Sequence, residues 1–305
     1  MSAPHRLMVE AGNEPQAGPA SSIGAATSTG RCIGEIIGEV RGLSARQIEQ
    51  VLVHQRAQGL RFGEAAVALG LADRGDVVDA LARQFGYPVV APQGAHSIGD
   101  EVVVATDPFS AKSEAFRDLR SQLLAGVFAD RHSRALAVLS PDTEEGKTFV
   151  AANTAAAFSQ LGRRTLLIDA DMRTPRQHQI FGIQNPPGLS TVLAGRSDYS
   201  VIKPIGGLPN LYLLAAGPVP PNPVELLERQ TFGVLIDEML ERFDHVVIDT
   251  PAGSYGADAR IIAAKAGAAL VVGRTGRSRV AALQAMLEAL DNASAHLAGV
   301  VMNSY

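Results

Sequence analysis

Ser140-Pro141-Asp142-Thr143-Glu144-Glu145-Gly146-Lys147-Thr148 follows directly on the apolar run Ala135 to Leu139. A strand that feeds Gly-Lys-Thr and then a helix makes an anion site. The first N–H groups of a helix lack intrahelical acceptors, and the helix dipole favours negative charge there. Gly146, Lys147 and Thr148 supply those amides. Lys147 adds a point charge toward β- and γ-phosphates, and Thr148 offers a hydroxyl to Mg²⁺. Glu145 and Phe149 flank these residues and are counted with them as ATP-contacting positions. Residues 149–161 are Ala-rich, with apolar spacing suited to a helix lying on a sheet, and Gly162 is placed to end it. The segment departs from G-x-x-x-x-G-K-[ST] at its first position, where Pro141 stands. Taken alone, Gly-Lys-Thr also fits an ordinary helix start.

Two later segments weigh against that plainer reading. Leu166-Leu167-Ile168-Asp169-Ala170-Asp171-Met172-Arg173 and Val246-Val247-Ile248-Asp249-Thr250-Pro251 each put an aspartate at the carboxyl end of a short apolar strand. Open α/β sheets bind ligands there. A buried carboxylate is costly without a partner, and Mg²⁺ or a lysine would be one. Asp169 is expected at the Mg²⁺ shell or the attacking hydroxyl, and Asp171 as a second metal-shell or base candidate. Arg173 is expected to reach a phosphate, and Asp249 to hold Mg²⁺ through water as the Walker B carboxylate. One such aspartate is better read as a helix cap; three in this order are not. Apolar strands are expected at 135–140, 165–169, 211–215, 245–249, 269–273 and 298–303, with helical segments between most of them. That alternation predicts an α/β fold with a mostly parallel, doubly wound sheet covered on both faces.

These residues resemble the bacterial tyrosine kinases that accompany exopolysaccharide chain-length determinants, the EpsG-type group in particular, within the deviant-Walker P-loop ATPases. Ser113-Glu114-Ala115-Phe116-Arg117-Asp118-Leu119-Arg120 resembles that family's E-x-x-R-x-x-R helix. Asp169-x-Asp171-x-Arg173 resembles its second aspartate motif, and two further blocks match, Gly188 to Gly195 and Pro220 to Leu227. The Asn222-Pro223-Val224-Glu225-Leu226-Leu227 stretch weighs most, because generic P-loop proteins do not carry it. The likeness covers roughly residues 105–305. It implies transfer of the γ-phosphoryl of ATP to tyrosine with Mg²⁺, control of exopolysaccharide polymerisation and export, and an inner-membrane polysaccharide co-polymerase as partner. It also implies a homo-oligomer assembled through Glu114, Arg117 and Arg120. By their residues alone, these three would be an ordinary solvated face. Lys147, Asp169 and Asp171 are the expected catalytic set.

Three departures bear on that reading. Family kinases often end in a tail of several tyrosines, whereas this sequence has only Tyr305 after its last expected strand. Tyr305 is therefore the candidate phosphosite, and a nucleotide-dependent assembly switch without tyrosine transfer stands as the alternative. Glu144 occupies a place where many members have glycine, so its carboxylate should point away from the phosphates. Asp142 occupies the place of the second lysine of partition ATPases, which lowers a third reading, a partition-type ATPase.

Residues 1–30 are rich in Ala, Gly, Ser and Pro with no apolar run, and are expected to be a disordered tail rather than a signal peptide. Residues 31–91 carry an imperfect repeat. Gly34-Glu35 recurs as Gly63-Glu64, Gly42-Leu43 as Gly70-Leu71, and Ile48, Leu52 and Gln55 as Val77, Leu81 and Gln84. Each copy reads as helix, Gly-Leu turn and helix, with Ser44 and Asp73 as caps. This small all-α domain resembles the amino-terminal domain of type II secretion and pilus assembly ATPases. The resemblance implies cyclic di-GMP as a ligand of Arg61, Gly63 and Gly70. Cys32 stands at the corresponding arginine position of the first copy, which favours the other reading, an adaptor that docks a partner protein. Residues 92–112 read as a linker into a kinase domain of residues 113–305.

Composition sets outer bounds. A net charge of −4 gives no electrostatic support to nucleic-acid binding. A single cysteine excludes an internal disulfide and a cysteine metal cluster. No apolar run reaches the ~18 residues a membrane helix needs. The expected location is cytoplasmic, peripheral to the inner membrane through a partner.

Overall fold

The computed structural model describes residues 32–85, 98–129, 134–184, 187–293 and 295–304. The readings of residues 1–30 and of Tyr305 lie outside them. The described residues up to Phe85 form one unit and those from Ile98 another.

The first unit is a pair of helical hairpins, α1 (Ile33–Arg41) with α2 (Ala45–Gln58) and α3 (Phe62–Ala68) with α4 (Arg74–Phe85). The sequence repeat is explained by its turns. Gly42 and Gly70 adopt left-handed φ of 62° and 66°, which a side chain would strain. The next residue in each copy bonds back into the helix, Leu43 N–H to the Gly38 carbonyl and Leu71 N–H to the Ala66 carbonyl, both at 2.9 Å. Ser44 caps α2, accepting from the Gln47 N–H while Gln47 accepts from the Ser44 N–H at 2.9 Å. Asp73 and Asp76 cap α4 reciprocally at 2.9 and 2.7 Å. Glu35 and Glu64 accept from the Cys32 and Arg61 N–H groups in the same way. Arg41 of the first copy donates to Asp73 and Asp76 of the second. Ile36, Ile37, Val51, Phe62, Ala65 and Ala80 form the core of this unit.

The second unit is built on one sheet of seven strands: β1 (Ala135–Leu139), β2 (Thr165–Asp169), β3 (Lys203–Pro204), β4 (Leu211–Leu214), β5 (His245–Asp249), β6 (Gly267–Arg274) and β7 (His296–Asn303). Their order is β3-β4-β2-β5-β1-β6-β7, parallel throughout except for the short β3–β4 pair. Every residue of β1, β2 and β5 is buried, as the near-continuous apolar runs require of strands covered on both faces. The helices are α5 (Val103–Thr106), α6 (Ala111–Ala125), α7 (Lys147–Ser159), α8 (Gln177–Ile180), α9 (Leu189–Leu193), α10 (Pro223–Glu228), α11 (Gln230–Arg242), α12 (Asp258–Ala266) and α13 (Val280–Asn292). Alternate strand residues sort between the two faces. Ala135, Ala137, Leu139, Leu166, Ile168, Val246 and Ile248 pack with Phe232, Leu235, Ile236 and Ile262 of α11 and α12. The Ala-rich α7, with Ala151, Ala152, Ala155, Ala156 and Phe158 fully buried, lies against β1, β2 and β5.

Residues 98–112, read from sequence as linker, are instead part of this unit. Val102, Val104 and Ala105 are fully buried. Asn153 of α7 accepts from the Val104 N–H at 3.1 Å and donates to the Glu101 carbonyl at 2.8 Å. The Gly99 N–H bonds the Ile180 carbonyl at 2.7 Å. The apolar Val102-Val103-Val104-Ala105 run buries against α7 rather than spanning solvent.

Candidate functional site

Residues 140–146 join β1 to α7 at the carboxyl end of the sheet. The Gly146 carbonyl accepts the first intrahelical bond of α7, from the Val150 N–H at 2.9 Å. The amides of Gly146, Lys147 and Thr148 precede it and point to an anion site by helix geometry. Gly146 has φ 99°, and any Cβ there would collide with the Asn303 amide at the end of β7. That amide donates to the Glu145 carbonyl at 3.1 Å. The Glu145 carboxylate braces the loop from within, accepting from the Asp142 N–H at 2.8 Å and from the Ser278 hydroxyl. Its side chain is thus structural, a correction to its reading as an ATP contact; only its backbone faces that task. The Phe149 ring packs against Phe116 at 5.5 Å, edge to face, so its side chain also serves packing.

Glu144 holds φ 58°, the one positive φ outside glycine among the described residues. Its carboxylate is 71% exposed and pairs with Arg277 at 2.7 Å, turned away from the loop interior as the phosphate chemistry demands. Its carbonyl accepts from Arg274 at 2.9 Å. Asp142 accepts from the Thr143 N–H at 2.9 Å and the Ser254 hydroxyl at 3.0 Å, and these bonds hold its carboxyl below the usual range.

Parallel pairing of β2 with β5 sets Asp169 opposite Asp249. Both are fully buried. Asp169 accepts from the N–H groups of Asp171 at 3.2 Å and Gln177 at 3.0 Å. Burial, with the Asp249 charge beside it, pushes its carboxyl well above the ordinary value. Asp249 is raised to about 6 by burial, opposed by the Lys147 charge. Gln177 completes the cluster, donating from its side chain to Asp249 at 2.9 Å and to the Thr148 carbonyl at 3.1 Å. Sequence reasoning missed Gln177, because a single amide at the start of the short α8 carries no motif. Asp171 accepts from the Arg173 N–H at 3.1 Å, the Thr174 N–H at 2.8 Å and the Thr174 hydroxyl at 3.0 Å, and its other contact is Lys147 Nζ at 3.4 Å. The motif lysine and all three predicted aspartates are therefore brought together.

Arg173 is not aimed at a phosphate in this structure. Its guanidinium is taken by the buried Asp258, at 3.0 and 3.1 Å, and lies 5.8 Å from the centre of the Tyr255 ring. Asp258, at the start of α12, was also missed, for it has no partner within its own stretch of sequence. The E-x-x-R-x-x-R residues do not form one outward face either. Arg117 bonds Glu114 at 2.6 Å and the Pro108 carbonyl, and Arg120 bonds the Ala157 carbonyl of α7 at 2.8 Å. Within the helical unit, Gly63 is fixed by packing, since a Cβ there would lie 2.6 Å from a methyl of Val77, and Gly70 is fixed by its φ of 66°. The Arg61 N–H bonds Glu64 at 2.8 Å.

The residues fit a magnesium site. Asp249 Oδ1 is buried and has no hydrogen-bond partner, an unsatisfied acceptor that a cation shell would use. Thr148 lies buried in the adjoining first turn of α7. Among the described residues no three His, Cys, Asp or Glu form a metal cage. Mg²⁺ needs none, for it takes one or two carboxylates with phosphates and water.

Residues 136–305 match the family model described as the CobQ/CobB/MinD/ParA nucleotide binding domain. The chain is 35% identical over 203 residues to the tyrosine-protein kinase YwqD of Bacillus subtilis, covering 66% of this chain and 85% of that protein. It is 37% identical over 205 residues to the tyrosine-protein kinase Wzc of Salmonella typhimurium, covering 67% of this chain but only 28% of that much longer protein. Among solved structures it is similar to the kinase domain of the Escherichia coli tyrosine kinase ETK, with a TM-score of 0.66 and 29% identity over 70% of this chain and 82% of that one.

Proposed function

The chain belongs to the CobQ/CobB/MinD/ParA nucleotide-binding domain family and, within it, to the bacterial tyrosine kinases, and on that premise we propose that it transfers the γ-phosphoryl group of ATP to protein tyrosine. The observation that carries this reading is the Asp169–Asp249 pair at the carboxyl ends of β2 and β5, joined by Gln177 to the first turn of α7. The α7 amides and Lys147 hold phosphate, and Asp171 keeps the Lys147 ammonium in place. Thr148 and Asp249 hold Mg²⁺, which when bound neutralises phosphate charge. Three donors besides Lys147 already occupy Asp171, which suits it to orientation. Burial and the neighbouring Asp249 charge raise the proton affinity of Asp169, and we assign it the proton of the acceptor tyrosine. Positioning and charge neutralisation supply most of the rate.

The exopolysaccharide role, the membrane co-polymerase partner, assembly through the Glu114 helix and Tyr305 as an acceptor are parts of the same proposal. No described helix is long and apolar enough to cross a membrane. We read the helical unit as the adaptor that docks such a partner, since packing and turn geometry already account for Gly63 and Gly70.

The test incubates the full chain and its Lys147→Met variant with Mg·ATP, maps phosphotyrosine by mass spectrometry and records ATP consumed. Phosphotyrosine that depends on Lys147 is expected. Phosphotyrosine at equal yield in both proteins would refute the site. ATP consumption with no phosphotyrosine would refute the kinase reading and leave an ATPase.

A further inference from the structure

We propose that Tyr255 is an acceptor of the phosphoryl group, taken from ATP held by a second copy of this chain. This rests on the kinase reading above and names an acceptor for it. Three tyrosines lie among the described residues. Tyr212 sits inside β4, paired with Leu166 rather than with the carboxyl end of β2, and its ring packs on Phe243 at 5.3 Å. Tyr199 is half-buried beneath Arg242, 5.0 Å from its ring centre, and burial raises its hydroxyl pKa. Tyr255 is exposed, at 40%, and it stands on the rim of the nucleotide site.

Tyr255 closes the short turn Gly253–Tyr255 that follows β5. That turn is stitched to the phosphate loop. The Gly253 N–H donates to the Ser140 carbonyl at 2.8 Å, the Ser254 N–H to the Pro141 carbonyl at 2.9 Å, and the Ser254 hydroxyl to Asp142 at 3.0 Å. A Cβ on Gly253 would lie 2.5 Å from the Met286 methyl, so the turn has no room to shift inward. These bonds fix the backbone of the turn against the phosphate loop and leave the exposed Tyr255 ring open to another molecule. Beside that ring lies the Arg173 guanidinium, 5.8 Å from its centre and fixed by both Asp258 oxygens. The guanidinium N–H groups not taken by Asp258 are donors for the phosphate that Tyr255 acquires.

In the step, Tyr255 Oη bonds to the γ-phosphorus of the other copy's ATP. The bond from that phosphorus to the β–γ bridging oxygen breaks, its electron pair leaving with ADP. The phenol proton passes to the carboxylate base of the copy that holds the nucleotide. The products are phosphotyrosine, ADP and a proton.

The experiment mixes wild-type chain of natural isotope content with heavy-isotope Lys147→Met chain, adds Mg·ATP and maps phosphotyrosine in both mass channels; heavy Lys147→Met alone and wild-type Tyr255→Phe run beside it. Phosphate on heavy Tyr255 in the mixture, none in heavy chain alone, and loss of that phosphopeptide in Tyr255→Phe with other phosphotyrosines kept are expected. Phosphotyrosine elsewhere, Tyr305 included, with Tyr255 bare in both channels overturns this proposal and leaves the kinase reading standing. Phosphate on Tyr255 confined to wild-type chains overturns transfer between copies. ATP consumed with no phosphotyrosine in any sample overturns both.

Discussion

Asp169 and Asp249 are register partners on adjacent parallel strands, and Gln177 bonds one through its backbone N–H and the other through its side-chain amide. Two carboxylates so placed and fully buried cannot both be charged cheaply without a cation. The sheet thus stores unfavourable electrostatics where positive charge is to bind.

A pH dependence follows. Asp249 is raised to about 6 in the folded chain from an ordinary value of 3.8. Between those values the folded state holds a proton that the unfolded state has released. Stability from this group is complete below the unfolded value and is lost as pH rises through about 6. The loss is on the order of 2–3 kcal/mol, before the neighbouring Asp169 is counted. Asp249→Asn, which cannot ionise, should therefore melt higher than wild type at pH 7.5 and by a clearly smaller margin at pH 4.5, while abolishing phosphoryl transfer. Thermal melts across that range without nucleotide check the sign, and equal differences at both pH values would defeat the argument.

The Arg173–Asp258 pair is asymmetric, and its two halves should fail differently. Asp258 is 1% exposed in its side chain and Arg173 29%. Arg173→Ala leaves a buried carboxylate without its cation, a loss of ~3–5 kcal/mol. Asp258→Asn leaves an arginine that can reach water, at a cost nearer ~1–2 kcal/mol. Denaturant unfolding should rank Arg173→Ala as clearly the less stable, and the reverse order would mean that the pair does not anchor α12.

The parts of the site that are legible in the sequence are those made by strand ends. A strand places its last residue by period and length alone, so the apolar runs themselves point to Asp169 and Asp249, while Lys147 is legible from the Gly-Lys-Thr that follows β1 and Asp171 from its place two residues past Asp169. The braces are not legible, because each joins stretches far apart in the chain. Gln177 meets Asp249 across 72 residues, Arg173 meets Asp258 across 85, and Asn303 meets Glu145 across 158. Their side chains follow no period and match no spacing. Residues 98–112 read as linker for a related reason: Pro108 and flanking polar residues give a linker composition, while the four-residue apolar run that packs on α7 is too short to declare a helix. The aromatic packing of Phe149 and the inward turn of Arg120 likewise depend on α6 lying along α7, and that of Arg117 on the Pro108 carbonyl.

Glu144 offers a test of the phosphate loop that leaves Lys147 untouched. A left-handed φ costs a residue with a side chain ~1–2 kcal/mol. The exposed pair with Arg277 returns at most ~1 kcal/mol. Glu144→Gly should thus leave stability unchanged or slightly higher. It also removes a negative charge beside the phosphates, so ATP should bind more tightly, and more so at low salt. Nucleotide titrations at two ionic strengths read this directly; weaker binding would show that the Glu144–Arg277 pair shapes the loop for its ligand.

In the helical unit, three substitutions separate folding roles from ligand roles. Gly63→Ala drives a methyl to 2.6 Å from Val77, an overpacking worth ~1–3 kcal/mol. Gly70→Ala meets open space and costs only the strain of φ 66°, ~1–2 kcal/mol. Arg61 contributes its N–H to the Glu64 cap, which any residue but proline supplies, so Arg61→Ala should be within ~0.5 kcal/mol of wild type. Hydrogen exchange over residues 33–85 of the full chain should rank protection loss in that order. On the adaptor reading, titration with cyclic di-GMP gives no saturable signal in wild type or Arg61→Ala. Saturable binding that disappears with the Arg61 side chain would assign that arginine to a ligand, since its fold role is carried by the backbone alone.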